Sequence, residues 1–273
     1  MALKLGDHGD AVKGLQRGLN RLGSLLVVDG DFGPSTAAAV VDARLALQRP
    51  GPPEADAALV DALAHLPEPS ADLTAPGVTF IGREEVSSPA AYRQHHKRPT
   101  WPTKSSGITI GIGYDLRFAT EATLRADWSV LPEAALAALI PVLGGPGSED
   151  RLSRVADVEI PLPTAVTVFL KRMLPTHTRN TRLAYPMLDT LSPACRTALI
   201  SLVFNRGAAL EGERRREMKQ IRELLEAGRP DGVAAQLDAM VRIWDPRTEG
   251  GVIARRRREA TLWRAGFEAL QLV

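Results

Sequence analysis

Glu85, Thr109 and Asp115 are the residues whose types and spacing best suit a chemical reaction. Glu85 follows an apolar stretch that predicts a helix, and the other two lie in Gly107–Leu116, a glycine-interrupted stretch that predicts a tight β segment. Cleavage of a bond between two sugars needs an acid that protonates the leaving oxygen and a second carboxylate that assists. These residues therefore favour glycoside hydrolysis.

Thr109 and Asp115 are an even number of residues apart, so strand alternation places both side chains on one face of the segment. The alternative is a bend at Gly111 or Gly113 that places them on different faces. Asp115 also has an alternative role, in which it caps its own backbone in a hairpin turn. The alternative for Glu85 is an ordinary position on the protein surface.

The composition describes a globular chain long enough for one large domain or two smaller ones. In 273 residues, 34 Lys and Arg against 32 Asp and Glu leave a net charge of +2, which argues against nucleic acid as the main partner. Two arginine runs, at 214–216 and 255–258, are interpreted as solvated helix faces or as a basic rim that attracts an anionic polymer such as bacterial cell wall.

Several classes of protein do not fit the sequence. No run of about eighteen apolar residues predicts a membrane span, so we expect no stable membrane insertion. The first residues lack the basic and apolar regions of a secretory signal peptide. The single cysteine, Cys195, lies in an apolar helical pattern and is predicted to be a buried packing residue. We predict no cofactor.

The segment Arg93–Ser106 carries two histidines and a tryptophan. His95 and His96 are adjacent and no third ligand is evident, so we predict no metal site. Trp101 is a candidate for stacking on a sugar ring, and covering of the hydrophobic core is its alternative role.

The chain divides into two predicted domains. Residues 1–66 read as three short helices around the polar, glycine-rich loop Val28–Gly33, in which Gly30 and Gly33 supply unusual dihedral angles and Phe32 anchors the loop to the core. Residues 67–76 are rich in proline and small polar residues and predict a semi-extended linker. Residues 77–273 predict a second, mostly helical domain with one β hairpin.

Short motifs follow one another in a fixed order through residues 4–49. They are Gly6-Asp-His-Gly-Asp-Ala-Val12, Leu15-Gln16, Asp29-Gly-Asp-Phe-Gly33, Thr36, Ala39-Val40 and Gln48. This order resembles the peptidoglycan-binding domain common in cell-wall hydrolases. The sequence departs from that family after Gln48, where the family has a second glycine-rich turn and this chain has Arg-Pro-Gly-Pro-Pro53.

Three further stretches carry a second resemblance. They are Phe80–Glu85 followed by Tyr92 and Gly107–Leu116, then Leu191–Gly207, then Gly250–Gly266. In this order they resemble a phage-type lysozyme domain, and the Gly-Tyr-Asp-Leu116 ending is most similar to the pesticin-like branch of that family. The resemblance implies a fold that is mostly α, in which a small three-helix peptidoglycan-binding domain is linked to an α+β lysozyme-like domain.

The resemblance also implies roles for individual residues. Glu85 is the acid because Tyr92 follows it by seven residues, as in phage-type lysozymes. The better-known phage enzymes place an aspartate between the glutamate and the threonine, but residues 86–108 contain no Asp or Glu, and the pesticin-like pattern puts its catalytic aspartate at Asp115. Thr109 then positions a water molecule.

Two residues of the C-terminal part complete the implied site. Asn205 lies where the family places a side chain that lines the sugar cleft, and its alternative is an ordinary residue at a helix end. Arg255 corresponds, to within one residue of the arginine run, to an arginine that pairs with the catalytic glutamate.

We therefore expect a modular endolysin that binds bacterial peptidoglycan and hydrolyses its glycan strands as a muramidase. It would act as a monomer, accumulate in the host cytoplasm and reach the cell wall after release. Two alternatives remain open. One is a lytic transglycosylase, which needs only the acid, and the other is a non-catalytic wall-binding protein of a phage particle.

Overall fold

Helices make up most of the part of the chain that the computed structural model describes, residues 2–102 and 106–271. The predicted fold class, mostly α with one β hairpin, is confirmed. The helices and strands are α1 (Asp10–Arg21), α2 (Pro34–Ala46), α3 (Ala57–Ala64), α4 (Ala75–Val86), α5 (Pro89–Ala91), β1 (Thr109–Ile110), β2 (Tyr114–Asp115), α6 (Glu121–Asp127), α7 (Glu133–Leu139), α8 (Glu149–Ser153), α9 (Leu162–Val168), α10 (Leu174–Ala184), α11 (Pro193–Arg206), α12 (Arg216–Glu226), α13 (Val233–Ala239) and α14 (Gly250–Gln271).

Backbone contacts divide the chain into two compact units. Unit 1 comprises Met1–Ala71 and Val78–Met173, and unit 2 comprises Asp72–Gly77 and Leu174–Val273. Unit 1 thus joins the first 66 residues to much of the predicted second domain. The predicted linker is without helix up to residue 74, and α4 begins at Ala75.

The first 66 residues have a hydrophobic core of their own. Apolar side chains from α1, α2 and α3 meet in it, including Leu15, Val40 and Leu59, which have no exposed surface. Phe32, in the loop between α1 and α2, is 1% exposed and packs in the same core. Gly30 takes a φ of 84°, so its predicted role and that of Phe32 are confirmed. The prediction for Gly33 is wrong, because this residue takes an ordinary extended conformation, with a φ of −88°, just before α2.

Within unit 1, this N-terminal core packs directly on α4 and α9. A Cβ atom added at Gly23 would lie 2.3 Å from Cγ1 of Val166 in α9. A Cβ atom added at Gly82 in α4 would lie 2.6 Å from Cδ2 of Leu25. The guanidinium of Arg83 also donates from Nη1 to the backbone oxygen of Leu25, at 3.1 Å. Because Gly23 and Gly82 have no side chain, these segments approach each other closely.

The β hairpin is short and held by large side chains. Gly111 takes a φ of 59° in the turn, and a Cβ atom there would lie 2.5 Å from Cη2 of Trp128. Trp128 has no exposed surface and meets the ring of Tyr114 edge-on, with centroids 5.5 Å apart. A glycine is needed at 111 because the turn has a left-handed dihedral and a tryptophan lies against it.

Helix α11 begins and ends as its sequence predicts. Ser192 Oγ accepts the backbone N–H of Cys195 at 3.3 Å, Pro193 occupies the first turn, and Gly207 follows the last turn. Cys195 is 1% exposed, and burial raises the pKa of its thiol. The predicted role of Cys195 as a buried packing residue is confirmed.

In unit 2, α14 packs against α11 and α13 and carries charged residues on its buried face. Arg255, Arg256 and Glu259 are at most 4% exposed. The Glu259 carboxylate accepts from Arg255 Nε at 3.2 Å, from Arg256 Nη2 at 2.8 Å and from Ser201 Oγ at 2.6 Å. These partners offset the large cost of removing a carboxylate from water.

Candidate functional site

Glu85 lies in the last turn of α4, so the prediction that an acidic residue ends an apolar helix is confirmed. The helix stops at Val86 because Ser87 takes a left-handed φ of 62° and donates its backbone N–H to Arg83 O at 2.8 Å. Glu84 and Glu85 are both half-buried. The choice of Glu85 over Glu84 as the acid stays a prediction.

Thr109 and Asp115 are direct cross-strand partners in the β1–β2 pair. Partners of this kind point to the same face of a sheet, so the expectation that the two side chains share a face is confirmed. Thr100 extends the row, because it exchanges both backbone hydrogen bonds with Thr109 at 2.8 and 2.9 Å. The hairpin therefore brings together a hydroxyl and a carboxylate, both of them half-buried.

The Asp115 carboxylate is held by backbone N–H groups. Gly107 N donates to Oδ1 at 3.0 Å and to Oδ2 at 3.2 Å, and Arg117 N donates to Oδ1 at 2.8 Å. The bond from Arg117 caps a short 3₁₀ turn, so Asp115 does fulfil the alternative role as a backbone cap. A carboxylate fixed in this way is also suited to stabilise a nearby positive charge.

Trp101 lies against the backbone of Gly147, where an added Cβ atom would be 2.4 Å from its Cδ1. Its indole nitrogen is buried and has no hydrogen-bond partner among the described residues. Residues 103–105 of the surrounding segment, Arg93–Ser106, lie outside the described part. Of the two histidines, His95 is exposed and His96 is half-buried, and burial lowers the pKa of His96.

Asn205 and Arg255 belong to unit 2, whereas the other predicted site residues belong to unit 1. Asn205 is exposed at the end of α11, one turn after Ser201. Arg255 is 4% exposed and donates to the backbone oxygen of Ser201 at 2.9 Å as well as to Glu259. The predicted pairing of Arg255 with the catalytic glutamate stays a prediction.

The sequence singled out Gln16 only as part of a motif, but its side chain organises the loop between α1 and α2. It is 1% exposed, donates to Asp29 Oδ1 at 2.8 Å and to Asp31 O at 3.1 Å, and accepts from Gly30 N at 2.9 Å. The pKa of Asp29 is lowered, first by the N–H of Asp31 and then by Gln16. The order of the motifs includes both Gln16 and the loop. It does not show that they are hydrogen-bonded, because Asp29 and Asp31 lie 13 to 15 residues after Gln16.

This loop lines a groove within unit 1. One cavity, of about 280 Å³, is bounded on one side by Asp29, Asp31 and Thr36 and on the other by Arg83 and Ser88. A second, more open cavity of about 400 Å³ continues past Arg93 and Gln94. The two share Pro34 and Ser35 at the start of α2, so together they form one groove. No local pattern in the sequence indicates this groove.

Comparison with known proteins identifies the region that holds this loop. Residues 8–44 match the family model described as "Putative peptidoglycan binding domain". The chain carries a peptidoglycan-binding domain at its N-terminus. This finding supports peptidoglycan binding and a modular protein that binds the cell wall. No curated protein matches the chain.

Two further features are absent from the described residues. No helix in this part of the chain is long and apolar enough to cross a membrane. Nor does it contain a group of three or more His, Cys, Asp or Glu side chains placed to hold a metal ion.

Proposed function

We propose that this wall-binding protein is an endolysin that hydrolyses the β-1,4 glycosidic bond between N-acetylmuramic acid and N-acetylglucosamine in peptidoglycan. The peptidoglycan-binding domain at the N-terminus indicates the polymer on which the protein acts. The observation that carries the reaction is the hairpin, which sets Thr109 opposite Asp115 in the same unit that holds Glu85 at a helix end. Two carboxylates and a hydroxyl are the groups that glycoside hydrolysis uses.

In the proposed reaction Glu85 donates its proton to the glycosidic oxygen as the bond to the sugar breaks. Asp115, fixed by the N–H groups of Gly107 and Arg117, stabilises the positive charge of the oxocarbenium ion or activates the attacking water. Thr109 positions that water. A carboxylate separation of about 6.5–9.5 Å gives inversion at the anomeric carbon, and about 5–5.5 Å gives a covalent intermediate.

Binding and cutting by one chain has a physical advantage on an insoluble polymer. A weak anchor raises the effective concentration of the enzyme at the bond that it cuts. We propose that the protein works as a monomer at the cell wall and reaches it after release from the host cytoplasm.

The assignment is tested with Glu85→Gln, which keeps the shape of the side chain and removes the acid. We expect release of reducing muramic-acid ends from purified sacculi to fall by about 10²–10⁴-fold, while cosedimentation with sacculi is unchanged. Glu84→Gln is the matched control and retains activity. If Glu85→Gln remains lytic, or if Glu84→Gln is the inactive variant, Glu85 is not the acid.

A lytic transglycosylase is the second candidate, and one observation favours it. Both oxygens of the Asp115 carboxylate already accept backbone N–H groups, so its role would be purely structural if the sugar's own hydroxyl attacks. Mass spectrometry of the products separates the two reactions, since a transglycosylase leaves anhydro ends. Absence of any release, with the protein still bound to sacculi, would leave a non-catalytic wall-binding protein of a phage particle.

A further inference from the structure

The groove along the start of α2 has two walls of different origin. One wall belongs to the peptidoglycan-binding domain, through its loop residues Asp29 and Asp31. The other comes from the end of α4 and the residues that follow it, through Arg83 and Ser88. Since α4 carries both Arg83 and Glu85, one wall of the groove and the candidate acid belong to the same helix.

The two walls are joined firmly. Leu25 has no exposed surface and takes a left-handed φ of 56°, a strained conformation for a leucine. Gly82 leaves room for its side chain, and Arg83 donates to its backbone oxygen. The next residue, Leu26, exchanges both of its backbone groups with the Asn20 side chain, at 2.8 and 2.9 Å. The contacts of Leu25 therefore join the two walls directly.

The groove carries charges of both signs. Asp29 and Asp31 stand at one end as exposed carboxylates, the latter 2.7 Å from His8 Nδ1. Arg83 faces them from α4, and burial lowers the pKa of its guanidinium. At the far end Arg93 lies 3.5 Å from Asp42. A ligand that has both an ammonium or amide N–H group and a carboxylate would satisfy both walls.

The residues that line the groove suit the peptide stem of peptidoglycan better than its glycan strand. Among the described residues that line the two cavities none is aromatic, so no flat ring is available to cover the apolar face of a sugar. Peptide stems, in contrast, offer amide N–H groups, an amino group on the diamino acid, and carboxylates. A cavity of about 280 Å³ is at the lower end of ligand sites and holds one or two amino-acid residues.

We propose that this groove binds the peptide stem of peptidoglycan rather than its glycan strand. The stem's N–H and ammonium groups meet Asp29 and Asp31, and a stem carboxylate meets Arg83, one of the few side chains that can bind it through two N–H groups. This proposal rests on the wall as partner and not on glycan hydrolysis.

The test is titration calorimetry of the full chain with a synthetic stem tetrapeptide that has a diamino acid and a free C-terminal carboxylate. Arg83→Gln and Asp31→Asn should each weaken binding by about tenfold, because each removes one charged hydrogen-bond partner. Arg17→Gln and Asp10→Asn are the matched controls on exposed positions of the same domain, and they should change affinity by less than about twofold.

A second measurement uses glycan chains from which an amidase has removed the peptides. They should not displace the tetrapeptide. Displacement by these chains, or equal affinity of wild type and both groove variants, would overturn the proposal, as would no binding of the tetrapeptide by a chain that still cosediments with sacculi. Asp31 is exposed, so its variant tests the groove even if Arg83→Gln unfolds the protein. Failure of sacculus hydrolysis leaves peptide binding unaffected, so the two proposals fail separately.

Discussion

The carboxylate of Asp115 owes its position to a glycine eight residues earlier in the chain. Gly107 donates its N–H to both carboxylate oxygens, and it does so from a place where no side chain fits. A Cβ atom at this glycine would lie 2.3 Å from Asp115 Oδ1 and 2.6 Å from the Cβ of Arg117. The candidate site therefore depends on the absence of one methyl group.

Gly107→Ala should displace the Asp115 carboxylate and weaken the hairpin. We expect a loss of about 1–3 kcal/mol in the free energy of unfolding, which is typical of an overpacked buried site, and a fall in sacculus hydrolysis. Chemical denaturation and product release measure the two effects. Gly14→Ala is the control. A Cβ atom there has no atom within 4 Å and Gly14 lies in a helix, so the alanine introduces no clash. Unchanged stability and activity in Gly107→Ala would show that the hairpin absorbs the methyl group without cost.

Local patterns in the sequence were enough to predict part of the candidate site. The apolar period of α4 and the even spacing of Thr109 and Asp115 depend only on neighbours along the chain, and the structure confirms both. The buried hydrogen bond between Ser201 and Glu259 joins residues 58 positions apart in the sequence, so no local pattern predicts it. The sequence does not predict the groove for the same reason. Its two walls meet only after the N-terminal core packs on α4.

Three helices end in the same hydrogen-bond pattern, but one of them lacks the usual residue. After α1 and α12 the left-handed position is occupied by Gly23 and Gly228. After α2 it is occupied by Gln48, with a φ of 55°. Its N–H donates to Leu45 O at 3.1 Å, and the next residue, Arg49, donates to Arg44 O at 2.8 Å. This is a Schellman motif with a glutamine where glycine is favoured.

Gln48→Gly should stabilise the N-terminal domain by about 0.5–1 kcal/mol, because it removes the cost of a left-handed dihedral at an exposed side chain. The midpoint of thermal unfolding measures the gain. Gln48→Ala is the control and should give no comparable increase, since alanine keeps a Cβ atom in the same conformation. A lower midpoint for the glycine variant would mean that the Gln48 side chain stabilises the domain in another way.

In unit 1 the peptidoglycan-binding domain packs on the segment that carries Glu85. The predicted linker favoured two domains separated by a semi-extended chain, but the contacts of unit 1 run directly from the first core to α4 and α9. A cavity of only about 50 Å³ remains between Leu22, Ala43 and Val166. Packing of this density predicts that the two parts of unit 1 stabilise each other.

A fragment that begins at residue 67 should therefore be less stable than the full chain. Removal of residues 1–66 exposes Val166, which is 4% exposed in the full chain, and burial of such a side chain contributes about 1.5–3 kcal/mol. A chain of this size loses about 2–4 °C for each kcal/mol, so we expect the midpoint of thermal unfolding to fall by roughly 3–12 °C. The full chain with a short Gly-Ser insertion at Ser70 is the control and should keep its midpoint, because the packed contacts remain. Equal midpoints for the fragment and the full chain would instead mean that the binding domain adds no stability to the rest of unit 1.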